Sequence, residues 1–193
     1  MIKLRPEKLV PLLAGCTLLI GCEDTPPTNL DLLIVGGILV DGSGQESFHT
    51  NIGVQGDRIT WIGEDGAQAT DTLDATGLVV APGFIDVHSH TVPALLEPQR
   101  RMNEGVLRQG VTTVVGGPDG GFGPEMIRTV IEALGNNGSG TNVATYIGHN
   151  AIRENVMGED QQRAPNPSEF GIMRTQVREG MELGAVGFST GLM

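Results

Sequence analysis

Only two of the 193 residues are cysteine, Cys16 and Cys22, and both lie in the first 22 positions. A disulfide framework and a cysteine-built structural zinc site are therefore excluded from the rest of the chain. Lysine is as scarce, with Lys3 and Lys8 the only two. Aromatic residues make up 4%, so a core built from the 39% hydrophobic residues must be mainly aliphatic. Basic residues number 12 against 23 acidic, a formal charge of −11. That balance argues against nucleic acid or an anionic lipid surface as an electrostatic partner, since both attract basic patches.

Long apolar runs are short of what a spanning helix needs. Lys3, Arg5 and Lys8 precede an apolar run over Leu9–Gly21, 13 residues against the roughly 20 required to cross a bilayer. A positive start followed by such a run is the layout of an export signal. The run closes on Leu19-Ile20-Gly21-Cys22, which resembles the lipobox of bacterial lipoproteins. The resemblance implies cleavage before Cys22, acylation of that cysteine, and an exported protein anchored by lipid in the periplasm or at the cell surface. Leu13-Ala14-Gly15-Cys16 also fits, but leaves a hydrophobic region of only about seven residues, at the lower limit for a signal peptide. An ordinary cleaved signal with incidental cysteines is the plainer alternative. Removing residues 1–21 takes away three basic and one acidic residue, leaving nine and 22, a formal −13. Residues 22–29, with Pro26-Pro27, read as a tether.

Residues 30–76 alternate in short β-type runs. Asp31–Val35, Gly37–Val40, Asn51–Val54 and Arg58–Ile62 are separated by turns at Asp41-Gly42-Ser43-Gly44 and Gln55-Gly56-Asp57. This is a small β module, in which His49 and Trp61 read as structural. From residue 77 the period changes to alternating strands and helices. Strands are expected at Gly77–Val87, Val111–Val115, Val143–Ile147 and Ala185–Leu192. Helices are expected over 93–109, interrupted near Pro98, and over 124–134, with Met126, Val130, Ile131 and Leu134 inward. A third begins at Asn166 as N-cap, Pro167 at the first helical position and Glu169 completing a capping box. Phe170, Met173, Val177 and Met181 recur along it at helical spacing and are expected in the core.

The stretch Ala81-Pro82-Gly83-Phe84-Ile85-Asp86-Val87-His88-Ser89-His90 carries the chemistry. On an extended chain residues i and i+2 point to one side, so His88 and His90 present both imidazoles to one volume. Two neutral imidazoles on one rigid element suit a zinc ion. The stretch resembles the first-strand signature of the metal-dependent amidohydrolases, in which histidines at these positions bind a catalytic metal at the end of the first strand of a (β/α)8 barrel. Arg108–Val115, Gly148-His149-Asn150-Ala151-Ile152-Arg153-Glu154-Asn155-Val156-Met157-Gly158 and Gly184–Leu192 narrow the resemblance to the N-acyl-D-amino-acid deacylases, also called D-aminoacylases, over residues 30–193.

The fold is expected to be α/β, the first half of an amidohydrolase (β/α)8 TIM barrel over 77–193, preceded by the N-terminal part of a β-sandwich over 30–76. The implied activity is zinc-dependent hydrolysis of the amide bond of N-acyl-D-amino acids, with one or two metal ions. Where the family carries a cysteine ligand after the second strand, the match falls on Asp119, either a metal ligand or simply part of the turn Pro118-Asp119-Gly120. The superfamily's carboxylated bridging lysine has no counterpart among these residues. His149 and Arg153 are candidates for substrate binding, and Asp86 for orienting a ligand histidine. Ser189 and Thr190 show no activated nucleophile.

Length sets a limit on all of this. A complete barrel needs about 250 residues, more than the 193 present. The resemblance implies a catalytic base, an aspartate at the end of the eighth strand, and two further histidine ligands on strands five and six. All three are expected beyond Met193. The expectation is an inactive N-terminal fragment that requires the remaining half of the enzyme. A cyclic-amide hydrolase of the hydantoinase or dihydroorotase type, and a non-catalytic lipoprotein binding module, are the alternatives.

Overall fold

The computed structural model describes residues 26–64 and 66–191. The expected signal peptide, Cys22 and the start of the tether lie outside the described residues. Leu192 and Met193 lie outside them too, and the last expected strand, Ala185–Leu192, is shortened in the structure to Gly187–Ser189. The chain divides into two compact units, one ending at Val80 and the other beginning at Ala81. Among the described residues no helix is long and apolar enough to cross a membrane.

The first unit is a five-stranded sheet. Strands β1 (Leu30–Leu39), β2 (Phe48–Gln55), β3 (Arg58–Gly63) and β4 (Ala69–Asp74) lie in the order β3-β2-β1-β4, and β5 (Val79–Val80) also pairs with β1. The two runs expected at 31–35 and 37–40 are one strand. Its register shifts between Ile34 and Gly37, and Gly36 takes a φ of 74° there, a conformation open to glycine because it lacks Cβ. Strand β4 was not expected. Its sequence Ala-Thr-Asp-Thr-Leu-Asp lies almost wholly exposed at the sheet edge, held by parallel backbone pairing to β1, so no apolar alternation marks it.

The run over 77–87 was expected as one buried strand, and the structure divides it. Val79 and Val80 pair with Ile38 and Leu39 of β1, while the barrel strand β6 is only Phe84–Asp86. Nor is it buried: Phe84, Ile85 and Val87 are all at least 60% exposed. The reason is position, because β6 is a terminal strand of its sheet and has a neighbour on one side only.

In the second unit β6 is followed by a 3-10 turn (Val92–Leu96), helix α1 (Glu104–Leu107), β7 (Val111–Gly116), a second 3-10 turn (Pro118–Gly120), α2 (Pro124–Asn137) and β8 (Asn142–Gly148). Helix α3 (His149–Met157), a third 3-10 turn (Gly158–Asp160), α4 (Pro167–Glu182) and β9 (Gly187–Ser189) complete it. The sheet runs β6-β7-β8-β9 with every pairing parallel, the order of successive strands in a barrel of this class. Its core lies between sheet and helices: Val114 and Ile147 meet Val92, Leu95, Ile127, Val130, Ile152 and Met173. Each such side chain contributes about 1.5–3 kcal/mol on burial.

Helix α4 starts as expected. Asn166 accepts from the Glu169 backbone N–H at 3.0 Å, and the Glu169 carboxylate accepts from the Asn166 N–H at 2.8 Å. Its core face is narrower than expected. Met173 and Val177 pack inward, but Phe170 and Met181 are exposed at 54% and 45%. The third inward position is Gly180, where the backbone itself approaches β8 and an added Cβ would stand 2.6 Å from Ile147 Cδ1. In α2 Val130 is buried and Met126 and Leu134 pack against the core as expected; Ile127 is buried as well, while Ile131 is exposed. Helix α3 was missed, because it follows β8 without a linker and without a side-chain cap.

Candidate metal centre

Parallel strands bring all their C-terminal ends to one end of the sheet, and the chemistry-bearing residues gather there. Beyond β6 the chain bends at Val87 and His88 but stays tied to β7, since the Ser89 N–H donates to the Val115 carbonyl at 3.0 Å. Ser89 is consequently buried, its hydroxyl 2.9 Å from that of Thr91, while His88 and His90 fall on the other side. Their rings stand edge to face with centroids 5.3 Å apart. Asp86 acts on the backbone: its carboxylate accepts from the His88 N–H at 3.0 Å, which fixes the turn into the histidine pair.

Asp119 arrives from the loop after β7. Its Oδ2 is 3.3 Å from His88 Nε2 and 3.4 Å from His90 Nε2. Among the described residues these three form the one group of histidine and carboxylate side chains whose ligand atoms all lie within 4.8 Å of one another. The spacing can be tested against an ion. Ligands about 2.0–2.1 Å from a tetrahedral zinc stand roughly 3.3–3.4 Å apart along the tetrahedron's edge. The two nitrogen-to-oxygen distances meet that requirement, and two imidazoles with one carboxylate are a zinc-type donor set that leaves a fourth position open.

The backbone at Asp119 is unusual. Its φ of 56° is left-handed, one of two such values at non-glycine residues among those described. Gly117 and Gly120 on either side are left-handed as well, at 75° and 80°. For a residue with a Cβ this conformation costs about 1–2 kcal/mol. Contacts from two neighbouring strand ends hold it. Ser189 Oγ donates to the Gly117 carbonyl at 2.6 Å and accepts from the Gly120 N–H at 3.1 Å, and Asn150 Nδ2 donates to the Asp119 carbonyl at 3.1 Å.

His149, Arg153, Ser189 and Thr190 are placed differently from the triad. His149 opens α3 at the same sheet end, its Nδ1 3.2 Å from Thr190 Oγ1. Arg153 lies one turn further along. Its Nε donates to the Gln161 carbonyl at 3.0 Å and its Nη2 to the Arg163 carbonyl at 2.6 Å, so the guanidinium fastens the loop that leads into α4. Both residues border a cavity of about 170 Å³ shared with Phe170, Met173 and Phe188, which none of His88, His90 and Asp119 lines. Ser189 has its hydroxyl committed in both directions and is not poised as a nucleophile. In the sequence Ser189 stands out only as a nucleophile to be dismissed, and Asn150 does not stand out at all. The available signal was Gly-Gly-Pro-Asp-Gly-Gly itself, a loop that needs external fixing if its carboxylate is to hold one position.

No family model matches the chain. The D-aminoacylase of Alcaligenes xylosoxydans xylosoxydans is 38% identical over 192 residues, 88% of this chain and 39% of that protein. The crystal structure of the N-acyl-D-glutamate deacylase from Bordetella bronchiseptica, complexed with zinc and a phosphonate mimic of the tetrahedral intermediate, superimposes with a TM-score of 0.76. It is 33% identical over 85% of this chain and 39% of its own. A D-aminoacylase with a binuclear metal centre gives the same TM-score at 30% identity, over 84% of this chain and 38% of its own. The chain thus spans about two fifths of the length of the proteins it matches. In sequence and in fold it is homologous to the N-acyl-D-amino-acid deacylases of the amidohydrolase superfamily.

Proposed function

We propose that this chain carries the first metal-binding half of an enzyme that hydrolyses the amide bond of N-acyl-D-amino acids, releasing a carboxylate and a D-amino acid. The observation that carries the reading is the convergence of His88, His90 and Asp119 at the C-terminal end of a parallel sheet, at spacings that suit one zinc ion. His88 and His90, with their Nε2 atoms turned toward Asp119 Oδ2, would hold the ion together with Asp119. A bound zinc ion supplies Lewis acidity toward the amide carbonyl and a water whose pKa falls to about 7. Asp86 and Ser89 fix the backbone from which the two imidazoles project. His149, at the same sheet end, contacts substrate. Arg153 holds the 158–166 loop, and binds substrate only if it exchanges those carbonyls for a carboxylate. The base that moves the proton is assigned to a barrel strand other than β6, β7, β8 and β9.

The test has two stages. The 193-residue chain should bind zinc stoichiometrically, measured by dialysis and elemental analysis, and lose it on His88→Ala or His90→Ala. By itself it is expected to show no turnover. Supplied with the second half of a D-aminoacylase barrel as a separate chain, it should release D-amino acids from N-acetyl-D-amino acids and leave hydantoins intact. Absence of zinc refutes the metal centre, and cleavage of hydantoins refutes the substrate class. Turnover by the 193 residues alone would refute the assignment of the base to a strand other than β6, β7, β8 and β9. Membrane attachment through Cys22 belongs to the same proposal and rests on the layout of residues 1–22. Labelled palmitate should enter the exported protein and be absent from Cys22→Ser.

A further inference from the structure

We infer that Ser189, with Asn150 in support, is a positioning residue that holds Asp119 in metal-binding geometry. The inference rests on the metal centre proposed above and deepens it. Asp119 is the one member of the triad whose backbone is left-handed. It sits on a loop with left-handed positions at Gly117, Asp119 and Gly120, interrupted only by Pro118. Within the loop the Gly121 N–H donates to the Pro118 carbonyl at 3.1 Å, a single turn that leaves the Gly117 carbonyl and the Gly120 N–H to partners outside it. The Ser189 hydroxyl bridges it, bonding the carbonyl of Gly117 and the N–H of Gly120, two residues before and one after Asp119. One side chain thereby closes the loop around the ligand.

Two further features show that the clamp is built to this spacing. Gly148, at the end of β8, approaches so closely that an added Cβ would collide with the Gly120 carbonyl, and at Gly191 it would stand 2.7 Å from the carbonyl oxygen of Asp119. Bare backbone on both neighbouring strand ends lets the loop descend far enough to reach Ser189 and Asn150. Asn150 then takes the Asp119 carbonyl, turning the peptide so that the side chain faces His88 and His90. Groups that orient a ligand in this way are typically worth about 10–100-fold in metal affinity.

The experiment is a zinc titration of the 193-residue chain against a chromophoric chelator, repeated with cobalt(II) for its visible spectrum. Ser189→Ala should weaken zinc about 10–100-fold and alter the cobalt spectrum, and Ser189→Thr, which keeps the hydroxyl, should restore both. Combined with Asp119→Ala, the same Ser189→Ala change should cost nothing further, since the ligand it positions is gone. Asn150→Ala supplies a second route to the same result if Ser189→Ala fails to fold. Unchanged affinity in Ser189→Ala, while Asp119→Ala weakens binding, overturns the inference and leaves the metal centre standing. Equal losses with and without Asp119 also overturn it, because Ser189 would then act on the fold at large. No effect of Asp119→Ala removes the metal centre and this inference together.

Discussion

Replacing Asp119 by glycine and by alanine separates the two demands placed on that position. Both variants delete the carboxylate, so both lose its contacts with His88 Nε2 and His90 Nε2 at 3.3 and 3.4 Å. They differ in the backbone. At a φ of 56° alanine meets the left-handed penalty of about 1–2 kcal/mol, while glycine meets none. Against this, glycine has more freedom to lose on folding, which returns about 0.4–1 kcal/mol to alanine. The difference leaves Asp119→Gly more stable than Asp119→Ala by about 1 kcal/mol, or about 2–4 °C in Tm for a chain of this size. Differential scanning calorimetry of the two metal-free proteins measures it, and zinc titration of the same samples should show both weakened alike. An alanine variant as stable as the glycine variant would refute the reasoning, because the loop would then not be held left-handed in solution. Equal weakening of zinc with unequal stability is the signature of a ligand kept in a strained conformation.

Two further outcomes concern the scaffold around the site. Glu169 is hydrogen-bonded by the Arg163 guanidinium and by the Asn166 N–H, which lower its pKa from 4.5 to about 2. The folded state therefore binds fewer protons than the unfolded, and the stabilisation is whole above pH 4.5 and disappears as pH falls toward about 2. The Tm difference between the native chain and Glu169→Gln should narrow across that window; a gap that stays constant would contradict it. At Gly180 an added methyl would meet Ile147, which is fully buried, at 2.6–2.8 Å. Overpacking of about 1–3 kcal/mol outweighs a helix-propensity gain of about 1 kcal/mol. Gly180→Ala should thus lower stability in urea unfolding, and a rise would show that α4 moves off β8 at little cost.

Much of the second unit was legible because its signals are local. Asn166, Pro167 and Glu169 encode a helix start in four residues, and the structure places each in its expected role. Val111–Val115 and Val143–Ile147 are continuous apolar runs of strand length, and both became central strands. What failed was non-local. Whether Phe170 or Gly180 faces the core depends on where α4 crosses the sheet, and periodicity along one helix cannot supply that. Strand β4 exists through backbone pairing to β1, a contact that carries no side-chain signature. The division of the 77–87 run has the same origin, since Val79–Val80 and Phe84–Asp86 are equally β-like and differ only in which sheet accepts them.

The metal centre divides along the same line. His88 and His90 were legible because two residues apart on an extended chain already implies one shared side, whatever the rest of the fold does. Asp119 was ambiguous because Pro118-Asp119-Gly120 is a good turn whether or not its carboxylate has a task. The sequence signal is identical for both readings, and the distinction lies in what sits 31 and 72 residues away, at Asn150 and opposite Gly117 at Ser189. A turn that served only to connect β7 to α2 would satisfy its own backbone or leave it to water. This one closes a single bond of its own, from the Gly121 N–H to the Pro118 carbonyl, and draws the rest from two other strand ends, accepts a left-handed aspartate, and aims that aspartate's carboxylate at both histidines. Strain kept at one residue and paid for by contacts from elsewhere in the fold is the pattern expected where position itself is the function.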